Sequence, residues 1–217
     1  MLRQDRSIQL PSLFFNNIWP GTVVWSLLYI SDYALTIACA RLYRVQEKIV
    51  FEGSYEITPF FQRDINSLRV VSPRFLAILV LTVTMLSVLW ALTEQSTPEL
   101  YQFALGSLIG VQLAVHMRHL RNLFMFRAIN STDEVHGRLE YARTLLLRMS
   151  SLECLAFSGL FLVLFIFTRS WFILGGATGC FSLAVKHRRL ASKPLRSSLT
   201  TGVQPQQQAP GSAHTAD

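Results

Sequence analysis

Charge is scarce in this chain. Only 15% of its 217 residues are Asp, Glu, Lys or Arg, against about 25% in an ordinary soluble domain. A disordered chain needs the opposite balance, low hydrophobicity with dense charge, so most of the sequence is not of that kind. Cysteine is scarce too. The three residues Cys39, Cys154 and Cys180 exclude a disulfide framework and read as isolated packing residues. No Walker A or dinucleotide-binding glycine pattern occurs, and no G-x-S-x-G elbow or H-E-x-x-H. Ser158-Gly159 has no His at its depth to activate it. With no complete catalytic constellation, a non-catalytic protein without a cofactor is the leading expectation.

What is abundant is apolar. Hydrophobic residues make up 51% of the chain, Phe alone occurs 15 times, and the mean hydropathy is +0.34. Crossing a bilayer takes about 20 mostly apolar residues. Three stretches qualify at once: Phe75 to Thr93, Leu100 to Met117, and Leu152 to Thr168 with its run FSGLFLVLFIF. Two weaker ones are Thr22 to Ala40, which carries Asp32 near its middle, and Trp171 to Val185, which is short and holds Gly175, Gly176 and Gly179. Only Arg169 and Ser170 separate the last two, so a tight helical hairpin is expected there. The alternative is one span followed by an interfacial or re-entrant segment.

Basic residues set the expected orientation. Cytoplasmic loops carry the excess of Lys and Arg. With five spans and the N-terminus outside, one side receives Arg41, Arg44, Lys48, Arg63, Arg69, Arg74, Arg118, Arg121, Arg127, Arg138, Arg143, Arg148, Lys186, Arg188, Arg189, Lys193 and Arg196. The other side receives only Arg3, Arg6 and Arg169. The fallback of four spans drops the first. The net charge of +7 is then a topology signal facing anionic headgroups, and nucleic acid is not an expected partner. The bilayer is the expected surrounding, with anionic lipid, a second copy or another membrane protein as candidate partners. A plasma membrane is the expected location, and a bacterial inner membrane suits the small size.

Local signals place the boundaries. Ser72-Pro73 and Ser96-Thr97-Pro98-Glu99 supply helix caps with a first-turn proline. Ser131 to Glu134 repeats the S-x-x-E spacing. After it Val135, Leu139, Ala142, Leu146 and Met149 recur at helical intervals, with Glu134 and Arg138 on the polar side. An amphipathic cytoplasmic helix leading into the fourth span is expected. Trp19, Trp25, Trp90, Tyr101 and Trp171 read as an outer aromatic belt. The expected organisation is an extracytoplasmic interfacial segment over 1–21, a transmembrane helical domain over 22–189, and a disordered cytoplasmic tail over 190–217, rich in Ser, Gln, Pro and Thr.

Three places could carry function. Asp32 at mid-membrane depth costs at least about 2.5 kcal/mol on insertion scales, so it should face the bundle and find a partner. Tyr29 and Thr36 share its face, Gln112 lies at similar depth, and His116 one turn nearer the cytoplasm. Asp32, Gln112 and His116 form a candidate proton or cation relay. Asp32 could instead tie helices together, or its span could sit shallower. The second place is the loop from Phe51 to Arg69, which mixes Glu52, Glu56 and Asp64 with Phe51, Tyr55, Phe60 and Phe61. Such a loop should pack on the membrane face or re-enter, pairing with the basic end of the third span. Arg118 and Arg121 there could hold a lipid phosphate. His116 and His119 have metal-ligand spacing, but the flanking arginines oppose a cation. The third place is a pair of G-x-x-x-G motifs, Gly106 with Gly110 and Gly175 with Gly179, which mark close helix packing within the chain or between copies.

The expected fold is all-α: an integral membrane bundle of five helices, or four, with an amphipathic helix and a disordered tail. The leading functional expectation is a protein that binds lipid or a membrane-protein partner through its cytoplasmic loops. A small oligomeric proton- or cation-coupled transporter or channel is second, and a metal-dependent membrane enzyme third.

Overall fold

A computed structural model describes residues 15–131 and 136–192 of the chain. The described residues form six helices and two short strands: α1 (Ile18–Val45), β1 (Ile49–Phe51), α2 (Pro59–Asn66), α3 (Pro73–Thr93), α4 (Pro98–Ser131), β2 (Leu139–Tyr141), α5 (Arg143–Thr168) and α6 (Trp171–Ala191). The all-α expectation holds. Interfacial and disordered assignments for residues 1–14 and 193–217 lie outside the described residues, as does the stretch 132–135.

Four of these helices, α1, α3, α4 and α5, are long and apolar enough to cross a membrane. Their outward faces are greasy. Leu76, Val80, Leu81, Met85, Val88 and Leu92 stand exposed on α3, and Leu152, Leu160, Val163, Ile166 and Phe167 on α5. Exposed apolar surface on this scale needs an apolar surrounding, and makes this a membrane protein. The first span belongs to the apolar set, whereas α6 does not. Lys186, His187, Arg188 and Arg189 crowd its last turns, and glycines dilute its start.

Even so α6 runs back along α5 as a hairpin partner and also packs along α4. The reversal is tight because Arg169 adopts a left-handed conformation at φ 53° and closes α5 by donating its N–H to the Phe165 carbonyl. Buried residues Gly175, Gly176, Ala177, Cys180, Ala184, His187 and Ala191 form the inward stripe of α6. A helix covered on two sides has less surface to expose to lipid, so it needs fewer apolar residues.

Two helix starts follow the sequence signals. Ser72 Oγ accepts from Phe75 N at the start of α3, with Pro73 in the first turn, and Pro98 opens α4. The third signal is overturned: Ser131 ends α4 rather than capping a helix. The amphipathic helix expected from residue 135 is absent over 139–141, where the chain is extended, and α5 begins only at Arg143. A separate amphipathic helix does exist, α2, in the preceding loop. The aromatic belt is also revised. Trp25 is 2% exposed and Tyr101 1%, so both are core residues, while Trp19 at 68% is exposed.

With 34 residues, α4 is about 51 Å long at 1.5 Å per residue, well beyond the ~30 Å of a hydrocarbon core. Together with the end of α1 it carries a cap. In it β1 and β2 pair in parallel, Ile49 with Leu139 and Phe51 with Tyr141. Gly53 after β1 and Gly137 before β2 take φ of 87° and 81°, which side chains rarely adopt. Beneath the ladder Tyr43, Phe51, Tyr55, Phe126 and Tyr141 form one aromatic cluster with ring centroids 5.1 to 6.2 Å apart. The aromatic loop thus packs on helix ends, which explains its composition. This end of the bundle is the capped end. Residues 94–97 and 169–170 lie at the other, the hairpin end.

Candidate functional site

Just under the cap the bundle holds a partly open cavity of about 220 Å³, with polar groups set among apolar and aromatic walls. Four positions of α1 at intervals of three, one and three, Tyr29, Asp32, Tyr33 and Thr36, line one wall. From α4 come Gln112, Val115, Arg118, His119 and Asn122, and from α6 Leu183 and His187. The segment Tyr55 to Thr58 and Phe61 of α2 form the roof. Aromatic stacking stiffens the α1 side. Tyr29 and Tyr33 lie on Phe75 of α3 with centroids at 4.8 and 4.5 Å, and Trp25 stacks on Tyr29 at 5.2 Å.

His119 is the hub. Thr36 Oγ1 donates to the Asp32 backbone carbonyl at 2.9 Å, so it is free to accept from His119 Nε2 at 3.2 Å. That places the imidazole proton on Nε2, and leaves Nδ1 to accept from the Tyr55 hydroxyl at 3.4 Å. Asp32 Oδ1 lies 3.5 Å from the same Nε2. The contact is electrostatic only: Asp32 Oδ1 has no hydrogen-bond partner, nor have Gln112 Oε1 and the Tyr29 hydroxyl. Three unanswered polar groups along one cavity are exceptional, since buried polar atoms are nearly always paired.

Asp32 and Gln112 are therefore brought together as the relay reading placed them, but His116 is not with them. It sits on a half-buried flank outside the cavity lining, where its Nδ1 donates to the Gln112 carbonyl at 2.9 Å and its Nε2 faces Ser31 Oγ at 2.8 Å. His119 takes its place. Because His116 and His119 diverge, they share no metal. Among the described residues no group of three or more His, Cys, Asp or Glu is placed to hold one.

The loop carboxylates are dispersed. Glu52 Oε2 accepts the Arg143 N–H at the start of α5 at 3.1 Å. Asp64, 3% exposed, accepts from Ser72 Oγ at 2.6 Å and lies 3.6 Å from Arg69. Only Glu56 reaches the cavity, with Oε1 accepting the Thr58 N–H at 2.7 Å. Burial raises its pKa above the ordinary carboxylate range, opposed by the Thr58 hydrogen bonds and the Arg118 charge. Burial also pushes the Tyr55 phenol well above its usual value, with Cys39 adding to the effect.

Arg118 and Arg121 converge on Glu153 of α5. Arg118 Nε donates at 2.8 Å, and Arg121 pairs with the other carboxylate oxygen. A second cavity of about 220 Å³ adjoins this triad between α4, α5 and the cap, walled by Phe51, Met125, Tyr141, Leu146 and Met149.

The two glycine motifs face each other. A Cβ on Gly106 would strike the Phe172 backbone, one on Gly175 the Phe103 carbonyl, and one on Gly179 Ser107. This is one interface within the chain, between α4 and α6. Ser150, Ser151 and Ser158 of α5 bond to His187 and to the Ala184 and Ala177 carbonyls on the other flank of α6.

Sequence reading missed Glu153, Tyr55 as a cavity residue, and His187. Glu153 is masked by the apolar run it opens. Comparison with protein-family models, with curated proteins and with solved structures gives no match. The site must be read from its own chemistry: acceptors without donors, an imidazole joined to a roof tyrosine and to a carboxylate, and aromatic walls.

Proposed function

We propose that the protein binds a small polar solute in the cavity beneath the cap and serves its movement, or a coupled proton's, across the membrane. One observation carries this reading: Asp32 Oδ1 and Gln112 Oε1 are left without hydrogen-bond partners in one cavity. A carboxylate kept only to fasten helices would be expected to have its oxygens bonded. The Tyr55–His119 hydrogen bond leads a proton from the roof inward and ends 3.5 Å from Asp32. The capped end faces the cytoplasm in this proposal, because the basic residues gather there, and the membrane is a plasma membrane. Protein-loaded liposomes test it. An imposed pH gradient should collapse faster than in empty vesicles, and Asp32→Asn should remove the difference. Gradient decay indistinguishable from empty vesicles would overturn it.

A second reading is that the cap region binds a lipid phosphate. It is favoured by the cavity beside Arg118 and Arg121, two arginines against the single carboxylate Glu153, with apolar walls suited to an acyl chain. Anionic lipid co-purifying with the wild type and lost from Arg121→Gln would support it; equal lipid content would dispose of it.

A further inference from the structure

We infer that the solute taken by the cavity is a small organic cation, an ammonium group carried on an apolar body. The inference rests on the reading of the cavity as a solute site and adds the chemistry of what enters it.

Charge is the first argument. The cavity receives Asp32 from α1, Glu56 from the roof, Arg118 and His119 from α4, and His187 from α6. Arg118 lies on the cavity wall with its Nε held by Glu153 at 2.8 Å. His119 is the neutral imidazole in this arrangement, because its Nδ1 accepts from the Tyr55 hydroxyl. His187 Nδ1 is already engaged by Ser150 Oγ at 2.6 Å. Asp32 then stands as a cavity carboxylate with an oxygen that no hydrogen bond engages, the natural anchor for a positive guest.

Hydrogen bonding is the second. Asp32 Oδ1 and Gln112 Oε1 are acceptors that lack a donor, and the unpartnered Tyr29 hydroxyl can accept as well as donate. A carboxylate or phosphate ligand would bring only more acceptors. An ammonium brings three donors and no acceptor. The walls are the third. Tyr29, Tyr33 and Phe75 present stacked rings beside Asp32, and aromatic faces attract cations and accommodate apolar bodies. A volume of about 220 Å³ sets the size. At about 30 Å³ of liquid volume per water it holds a handful of waters, or one guest of about ten heavy atoms.

The test uses the full chain in detergent and three isosteric probes: phenethylammonium, 2-phenylethanol and phenylacetate. Binding is read by calorimetry and by fluorescence of Trp25, which stacks on Tyr29. Phenethylammonium alone should bind, and Asp32→Asn should weaken it about 30-fold or more, the loss expected when a buried charge loses its partner. Glu56→Gln should weaken it less. Binding of phenylacetate or phenylethanol as tight as that of the cation would overturn the cationic class while keeping the cavity as a solute site. No binding of any of the three would remove both. Cation binding unchanged in Asp32→Asn would place the guest elsewhere and overturn the proposal. If that variant does not fold, the three-probe comparison on the wild type decides alone.

Discussion

Gly110 of α4 and Gly176 of α6 meet backbone to backbone: a Cβ built on Gly110 would stand 2.6 Å from the Gly176 Cα. Neither chain segment can yield by turning a side chain. Gly110→Ala should therefore destabilise the bundle by about 1–3 kcal/mol, the usual cost of overpacking a filled interface. Gly159→Ala is the internal control, since nothing lies within 4 Å of its would-be Cβ. It should match or exceed wild type, by up to about 1 kcal/mol, because alanine is the better helix former in an interior position with room for it. Melting temperatures in detergent compare the two, and equal values would show that the α4–α6 contact is looser than described.

The Arg118–Glu153–Arg121 triad predicts an asymmetry. The Arg118 side chain is 11% exposed and that of Arg121 52%. Glu153→Gln strands a nearly buried guanidinium and should cost about 2–3 kcal/mol, somewhat below a fully buried broken pair. Arg121→Gln removes only a half-exposed partner and should stay within about 1 kcal/mol. Thermal denaturation ranks the two variants; a larger loss from Arg121→Gln would contradict the assignment of Arg118 as the buried member.

How far the site could be read from sequence depends on helical phase. A helix does not repeat in whole residues per turn, so a step of four positions, Gln112 to His116, overshoots one full turn. A step of seven, Gln112 to His119, falls only slightly short of two full turns and is the closer match in direction. The better-aligned imidazole was legible, and nearness along the chain favoured the wrong one. Asp32 with Tyr29 and Thr36 followed directly from the same periodicity. The parallel β1–β2 ladder did not, because it joins three-residue strands about ninety positions apart, and local patterning carries no signal for such pairs. Glu153 escaped notice for a related reason: its partners lie on another helix.

Glu56 predicts the direction of a pH effect. Its pKa in the folded protein is raised above the ordinary 4.5 by burial. The folded state therefore holds this proton more tightly than the unfolded chain. The contribution is fully favourable below about 4.5 and is lost as pH rises through the raised folded value. Glu56→Gln removes that loss. The melting temperature of the variant relative to wild type should rise between pH 4.5 and pH 7. A difference that stays flat or falls over this range would mean that the carboxyl is well solvated or firmly paired.

Whether α6 crosses the bilayer is decided by where its end emerges. Packed antiparallel to α5, it should return Ser192 to the capped end, on the side of Thr58 and opposite to Gln95. All three positions are exposed and suit single-cysteine labelling, and the native Cys39, Cys154 and Cys180 are buried out of reach of an impermeant reagent. An impermeant reagent applied from outside should reach Gln95→Cys only. Labelling of Ser192→Cys together with Gln95→Cys would put α6 on the surface. That outcome would conflict with more than topology. His187 lines the cavity from α6, and Gly175 and Gly179 meet α4 along its length. A surface-bound α6 could do neither, so the cavity would lose one wall and the glycine interface its partner. The glycines and the basic last turns that interrupt the apolar run of α6 are thus an argument for its burial among its neighbours, since a crossing helix so interrupted needs α4 and α5 to shield it.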